Sequence, residues 1–407
     1  EDMRVIAVGD DDQNIYSFRG SDSRYLRSFI TEKNAVKYEL VENYRSCRAV
    51  VSLANAFAET ITERMKLNPI VSMPESEGEV RLFRYKSRNI ETAVVNDLLA
   101  DIDGSSTACV LTSTNMEAMR VMGMLIRKGQ RAKLIQSNDG FDIYNLAEIR
   151  YFLKMLEMKL TSPVISQEVW DKARAELESA YSRSTALPMC LSLLDDYERS
   201  TERKYKSDLD MFIHESNLED FYHTESGTVF VSTIHKSKGR EFDSVYMLLD
   251  NVRADNDDDR RKIYVGLTRA KSRLHIHYNN GIFDEFDTAG LKKITDENKY
   301  PSPDEMILQL GHKDVFLGFF KDKKNFILRL KSGMKLFVTP NGMNIVTKDG
   351  QCEVLRFSKA FKGQLSELAG RGYVPYKGEI RFITAWTDKE DNAECAVILP
   401  DIYLKQK

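Results

Sequence analysis

The sequence predicts an α/β protein: a parallel-sheet domain, interrupted by a small helical insertion and followed by a β-rich domain. Three observations carry this reading. Short apolar runs alternate with amphipathic stretches through the first 160 residues. Residues 161–225 are charged and helix-leaning, with few β-branched runs. Beyond about residue 300, apolar segments lie between glycine-containing turn signals at Lys331-Ser332-Gly333, Pro340-Asn341-Gly342 and Lys348-Asp349-Gly350.

In chain order, residues 3–8, 37–41, 80–85, 108–112 and 131–136 read as strands. Residues 48–66, 90–102, 116–128 and 145–160 read as helices, with apolar positions three and four apart. Helices over 167–182 and 187–220 fill the insertion. The sheet resumes with strands at 229–233 and 244–249, a helix near 260–270 and a strand at 273–277. A meander follows, with strands at 326–330, 335–338, 344–347, 353–357, 378–386 and 394–399 and one helix near 361–369.

A chain of 407 residues has room for two or three domains and a sizeable core. Hydrophobic residues at 42% and charged residues at 30% read as an ordinary soluble globular protein. No run of about 18 apolar residues predicts a membrane span. The N-terminus has no signal-peptide pattern. It also lacks an initiator methionine and enters a strand-like run at once, so the sequence reads as a fragment of a longer chain. The net charge of −3 excludes a globally basic nucleic-acid binder and leaves room for a local basic groove. Five cysteines, none in a Cys-x-x-Cys pair, predict neither a metal site nor a disulfide framework. They fit a reducing, cytoplasmic setting.

Four clusters stand apart. "VGDDDQNIYSFRG" (8–20) puts three carboxylates before two aromatics and an arginine. "ENYRS" (42–46) sets Tyr44-Arg45 between a strand and a helix. "STIHKSKGREFD" (232–243) runs from a strand into a polar loop with Thr233, His235, Lys238, Gly239 and Glu241. "DDRRKIYVGLTRAKSRLHI" (258–276) carries Arg260, Arg261 and Arg269. Each alone has a plain structural reading. The aspartates could cap a helix or fill a turn, Tyr44 could close a core, Arg269 could pair with a surface carboxylate, and His235 could be solvated. Together they fall at strand ends of one α/β sheet, where such sheets bind ligands. Their chemistry also fits a single purpose, with arginines for phosphate oxygens, an aromatic for a base, and a glutamine near a reacting centre.

In this order, the four clusters resemble motifs III, IV, V and VI of the UvrD/Rep-like superfamily 1 DNA helicases. The resemblance covers roughly residues 1–280, and residues 141–158 are similar to the segment that precedes that family's accessory insertion. It implies RecA-like motor domains and an ATP-dependent 3′-to-5′ DNA helicase or translocase that uses ATP and Mg²⁺ and acts on single-stranded DNA and duplex junctions. It implies Gln13 as a γ-phosphate sensor and Arg45 and Arg269 as arginine fingers. Tyr44 would stack on adenine, and Glu241, following Gly239 in the same loop, would bind the ribose. Tyr16, Phe18, Arg19, Thr233 and His235 would serve the DNA track. Phe18 stands where many members have tryptophan, and Arg240 where leucine is usual.

The chain has no G-x-x-x-x-G-K-[ST] phosphate loop, and no DExx-type box precedes residue 8. The resemblance therefore predicts the C-terminal part of a helicase, inactive alone, with Mg²⁺ ligands expected mainly from a missing N-terminal motor domain. On this reading 1–33 is the last segment of the first motor domain. Residues 34–160 and 226–295 form the second, 161–225 a small helical insertion, and 300–407 a C-terminal β-rich domain. That last domain reads equally as a stability module or as a binder of a protein or duplex partner. The rivals are a non-enzymatic DNA-binding relative, the helicase part of a helicase–nuclease, and a nucleotide-binding interaction module.

Overall fold

The structure, a computed structural model, describes residues 5–17, 20–102, 104–135, 142–156, 162–216, 221, 227–347, 350–388 and 392–407. The chain divides into two compact units, Glu1–Gln136 with Gly227–Pro303 and Ser137–Ser226 with Asp304–Lys407.

Among the described residues, the first unit holds the strands β1 (Glu42–Asn43), β2 (Val71–Ser72), β3 (Glu79–Tyr85), β4 (Ala108–Thr112), β5 (Ala132–Leu134), β6 (Val229–Thr233), β7 (Phe242–Leu249), β8 (Ala270–Tyr278) and β9 (Leu291–Asp296). β1 and β2 form a short parallel pair. The others make one all-parallel sheet in the order β5-β6-β4-β7-β8-β3-β9. Every residue of β4 and β6 is buried, as central strands covered on both faces require, and this is why they read as continuous apolar runs. Helices Arg48–Ala58, Glu91–Asp101, Asn115–Arg127 and Asp257–Leu267 belong to this unit. The third begins with a capping box in which the Thr114 hydroxyl accepts from Glu117 N and the Glu117 carboxylate accepts from Thr114 N. Gly78 adopts φ +69°, and a Cβ there would lie 2.0 Å from Cys47 Sγ, so only glycine fits where the turn before β3 meets the start of the helix that follows Arg45.

Three expectations fail in this unit. The described part of 3–8 forms no strand: Ile6 is 91% and Val8 85% exposed, because a strand needs a neighbour and none lies beside it among the described residues. Residues 37–41 also remain outside any strand, and only Glu42–Asn43 pairs. The helix expected over 48–66 ends at Ala58. Its continuation has its backbone donors taken by side chains: Thr62 N and Glu63 N donate to Asp257, and Met65 N donates to Asp11 Oδ2.

The second unit holds β10 (Glu305–Gln309), β11 (Lys335–Val338), β12 (Gly342–Thr347), β13 (Gly350–Arg356), β14 (Tyr373–Thr387) and β15 (Glu394–Gln406) in one antiparallel sheet, ordered β10-β15-β14-β11-β12-β13. β14 and β15 pair over most of their length, with register shifts at Pro375/Lys377 and Ile380/Phe382. Helices Ala147–Met155, Gln167–Ala180, Leu187–Ser200 and Lys206–Glu215 lie in the same unit. Trp170 is fully buried and meets Phe152 edge-on at 5.1 Å. Arg150 pairs with Glu394 at 2.5 Å, and Thr185 N donates to Ser332 O, tying helical segment to sheet.

The single helix expected over 187–220 is two helices, separated at 201–205; residues 217–220 lie outside the described set, as do 157–161 at the end of the helix expected over 145–160. The strand expected over 326–330 is instead the short helix Lys324–Ile327, an apolar run too short for its period to decide. Three strands, β2, β9 and β10, carry no expectation from the sequence.

A titration is built into the β14–β15 pair. Burial pushes the Asp401 carboxyl up to about 6 from an ordinary 3.8 and raises Glu379, which faces it across the strands. The folded state therefore holds more protons than the unfolded state between those values. The stability Asp401 contributes is complete below about pH 4 and is lost as pH rises through about 6. Asp401→Asn is expected to flatten that fall. Urea midpoints across the window check it, and an unchanged slope refutes it.

Candidate functional site

Gln13, Arg45, Glu241 and Arg269 meet in the first unit. Glu241 stands immediately before β7 and Arg269 immediately before β8, and Phe242 N donates to Arg269 O across them. Arg269 is only 2% exposed. Its Nε donates to Val265 O at 2.9 Å, one terminal nitrogen to Arg240 O at 3.0 Å, and the other to Gln13 Oε1 and Thr268 Oγ1 at 2.9 Å each. Burial, and then the charge of Arg45, push its pKa down to about 10. Arg45 pairs with Glu241 at 2.5 Å on a half-exposed surface, a contact worth about 0–1 kcal/mol by itself. Two guanidiniums thus lie close enough to oppose each other, with the Glu241 carboxylate paired to Arg45 and felt by Arg269. That arrangement favours a further anion. Tyr44, 72% exposed, donates its hydroxyl to Glu42 and leaves its ring open to solvent. Gly239, at φ +87°, lets the loop turn ahead of Glu241.

The segment that brings in Gln13 is pinned by its aspartates. Asp12 is fully buried and accepts two hydrogen bonds from Arg64, at 3.0 and 2.8 Å. Lys66 lies 2.7 Å from Asp10, and Met65 N donates to Asp11. Asp10 also accepts from Gln13 Nε2 at 2.8 Å, which orients the amide so that its oxygen faces Arg269. These carboxylates are committed to Arg64, Lys66 and backbone donors, a set unlike the open, water-rich shell of Mg²⁺. No step through that ion follows from this chain.

Three residues beyond Gln13, the Tyr16 hydroxyl donates to His235 O at 3.1 Å. The Lys238 ammonium lies 5.0 Å from the Tyr16 ring centre, and Ser17 Oγ donates to Asp258 at 2.7 Å. Thr233 ends β6, level with Thr112 of β4. Burial, then the charge of Lys262, lowers the His235 pKa. Lys262, itself lowered by burial, donates to Ser113 O at 3.2 Å.

The structure therefore gathers the predicted residues in two groups: Gln13, Arg45, Gly239, Glu241 and Arg269 with Tyr44 nearby, and Tyr16, His235 and Thr233. Phe18 and Arg19 lie outside the described residues. The strand-end rule holds only in part. Thr233 is at a carboxyl end, whereas Glu241 and Arg269 precede the amino ends of parallel strands. Sequence reasoning misses Lys262 although it lies within the fourth cluster; nothing local marks it, since its relation to Ser113 spans 149 residues.

The family described as UvrD-like helicase C-terminal domain matches residues 158–281. The chain is 22% identical over 328 residues to the Gabija protein GajB of Bacillus cereus, covering 73% of this chain and 62% of that protein. It is 25% identical to the ATP-dependent DNA helicase UvrD2 of Mycobacterium bovis, covering 68% and 43%. It is 21% identical to DNA helicase II of Haemophilus influenzae, covering 68% and 51%. The chain thus spans between 43% and 62% of the length of these relatives.

Proposed function

The chain carries a UvrD-like C-terminal helicase region, and from that premise we propose that it is the arginine-bearing motor part of an ATP-driven 3′-to-5′ DNA helicase or translocase. The observation that most supports this is the Arg269–Gln13 hydrogen bond, three residues from Tyr16. Three residues of extended chain span at most about 11 Å, so whatever moves Gln13 also moves Tyr16.

In this reading ATP is held by a phosphate-binding half that this chain does not contain, which also supplies most of the Mg²⁺ ligands. Arg45 and Arg269 stabilise charge on the transferring phosphoryl group, the role for which an arginine is worth roughly 10³–10⁵ in rate. Gln13 orients the attacking water, Tyr44 stacks on adenine and Glu241, released from Arg45, binds the ribose. On the other side Tyr16, with Phe18 and Arg19, grips single-stranded DNA, with Thr233 and His235 linking track to cleft. ATP binding closes the cleft and hydrolysis opens it, so alternate closure advances the motor. The domain division set out from the sequence, with 34–160 and 226–295 as the second motor domain, is part of the proposal.

Tyr16→Leu tests the DNA half. Loss of one stacked base is expected to weaken single-stranded DNA binding by about 1–3 kcal/mol, or roughly 5- to 150-fold. Tyr16→Phe, which keeps the ring but not the bond to His235 O, should retain most of the affinity. Fluorescence anisotropy with an oligothymidine distinguishes them, and equal affinity in Tyr16→Leu and the parent would remove Tyr16 from the track.

A further inference from the structure

We propose that Glu79, Asp101 and His275 form a binding site for a divalent transition-metal ion of the zinc class. Glu79 opens β3, Asp101 closes the helix Glu91–Asp101, and His275 lies within β8, so three elements converge on one point. One ligand atom from each lies within 4.8 Å of the others. The imidazole is fully buried. Its Nδ1 is 2.7 Å from Asp97 Oδ2, a carboxylate that fixes the ring and places the Nδ1 proton between them. The lone pair on Nε2 then faces Asp101 Oδ2 at 3.7 Å and Glu79 Oε2 at 3.9 Å. Among the described residues, Nε2 and Asp101 Oδ2 are both buried and make no hydrogen bond.

An acceptor nitrogen aimed at two acceptor oxygens is repulsive unless something positive or proton-donating lies between them. A protonated Nε2 removes the repulsion but leaves both contacts without a hydrogen bond, because 3.7–3.9 Å is beyond hydrogen-bond reach. A metal ion supplies both the charge and the bonds. With bonds of about 2.0–2.2 Å, tetrahedral ligands stand roughly 3.4 Å apart, so the two nitrogen–oxygen edges need close by only a few tenths of an ångström, and the carboxylate–carboxylate edge, within 4.8 Å, by about 1.4 Å at most. The nitrogen-and-carboxylate donor set suits zinc and its neighbours, and Asp97–His275 reproduces the carboxylate–histidine–metal relay that orients such ligands.

The surroundings set the strength. Arg81 and Lys292 bond Glu79 Oε1 at 2.8 and 3.2 Å, and Arg273 Nε lies 3.7 Å from Glu79 Oε2 and 3.9 Å from Asp101 Oδ2, which Arg81 also approaches at 3.9 Å. These cations offset much of the carboxylate charge, so binding is weaker than at a closed structural zinc site. The ion's role is a staple that joins β3, β8 and the end of the intervening helix.

The test uses the metal-stripped full chain, titrated calorimetrically with Zn²⁺ and spectroscopically with Co²⁺. One equivalent should bind, raise Tm as mass action requires, and give visible cobalt bands without a thiolate charge-transfer band. Glu79→Gln and Asp101→Asn, each on a partly buried side chain, should weaken binding at least tenfold, whereas Glu75→Gln, an exposed acid four residues before Glu79 and outside the cluster, should not. His275→Gln should abolish binding; if it does not fold, the two carboxylate variants carry the test. No binding tighter than about 1 mM, or unchanged affinity in both carboxylate variants, would leave a bridging water as the occupant and overturn the proposal.

Discussion

Arg269→Ala, made in a polypeptide that joins this chain to a phosphate-binding half, is expected to lower DNA-stimulated ATP turnover roughly 10³-fold. The guanidinium is held at four points: Val265 O, Arg240 O, Thr268 Oγ1 and Gln13 Oε1. Burial beside Arg45 costs charge stabilisation, and a phosphate restores it. Arg269→Lys should lose nearly as much, because an ammonium keeps the charge but cannot hold carbonyls on two sides and Gln13 at once. Single-stranded DNA affinity should change only a few-fold in either variant. That separates a lost finger from a lost fold, which would remove both activities. An unchanged turnover would remove the finger assignment.

Asp12→Ala is expected to destabilise the first unit by about 3 kcal/mol, because breaking a buried ion pair leaves its partner's charge poorly compensated. Arg64 remains partly exposed, so the cost falls at the low end of the range for such pairs. The consequence is local first: 62–66 would lose the contact that, with Asp11 and Asp257, holds it out of the preceding helix. A lower urea midpoint at unchanged slope is the expected signature. A shift within about 0.5 kcal/mol would mean that solvent already satisfies Arg64.

How far the sequence can be read depends on whether the deciding interaction is local. β4 and β6 are legible because central parallel strands are buried on both faces and so read as unbroken apolar runs. The helix Asn115–Arg127 is legible from its period, and its start carries its own cap. The run at 5–8 has the composition of a strand but no pairing partner among the described residues, and pairing is not a local property. The helix expected through 66 fails because Asp11, Asp12 and Asp257, distant in sequence, take the donors and the arginine of 62–65. The candidate site divides the same way. The residue types of the four clusters mark a polyanion and a base, while Gln13 and Arg269, 256 residues apart, are joined only by the fold. Nothing near Asp12 in the sequence announces Arg64, and so three adjacent carboxylates read as turn chemistry and not as the anchor of a buried segment.

On the proposed function, these 407 residues hold the arginines of an ATP-driven motor but not its phosphate cradle. Mg²⁺-dependent ATP hydrolysis, measured on the isolated chain with and without single-stranded DNA and again after joining it to a segment that carries a phosphate loop, tests this most directly. The expected result is no turnover from the chain alone and DNA-stimulated turnover from the joined protein. Sustained turnover by the chain alone would contradict the account.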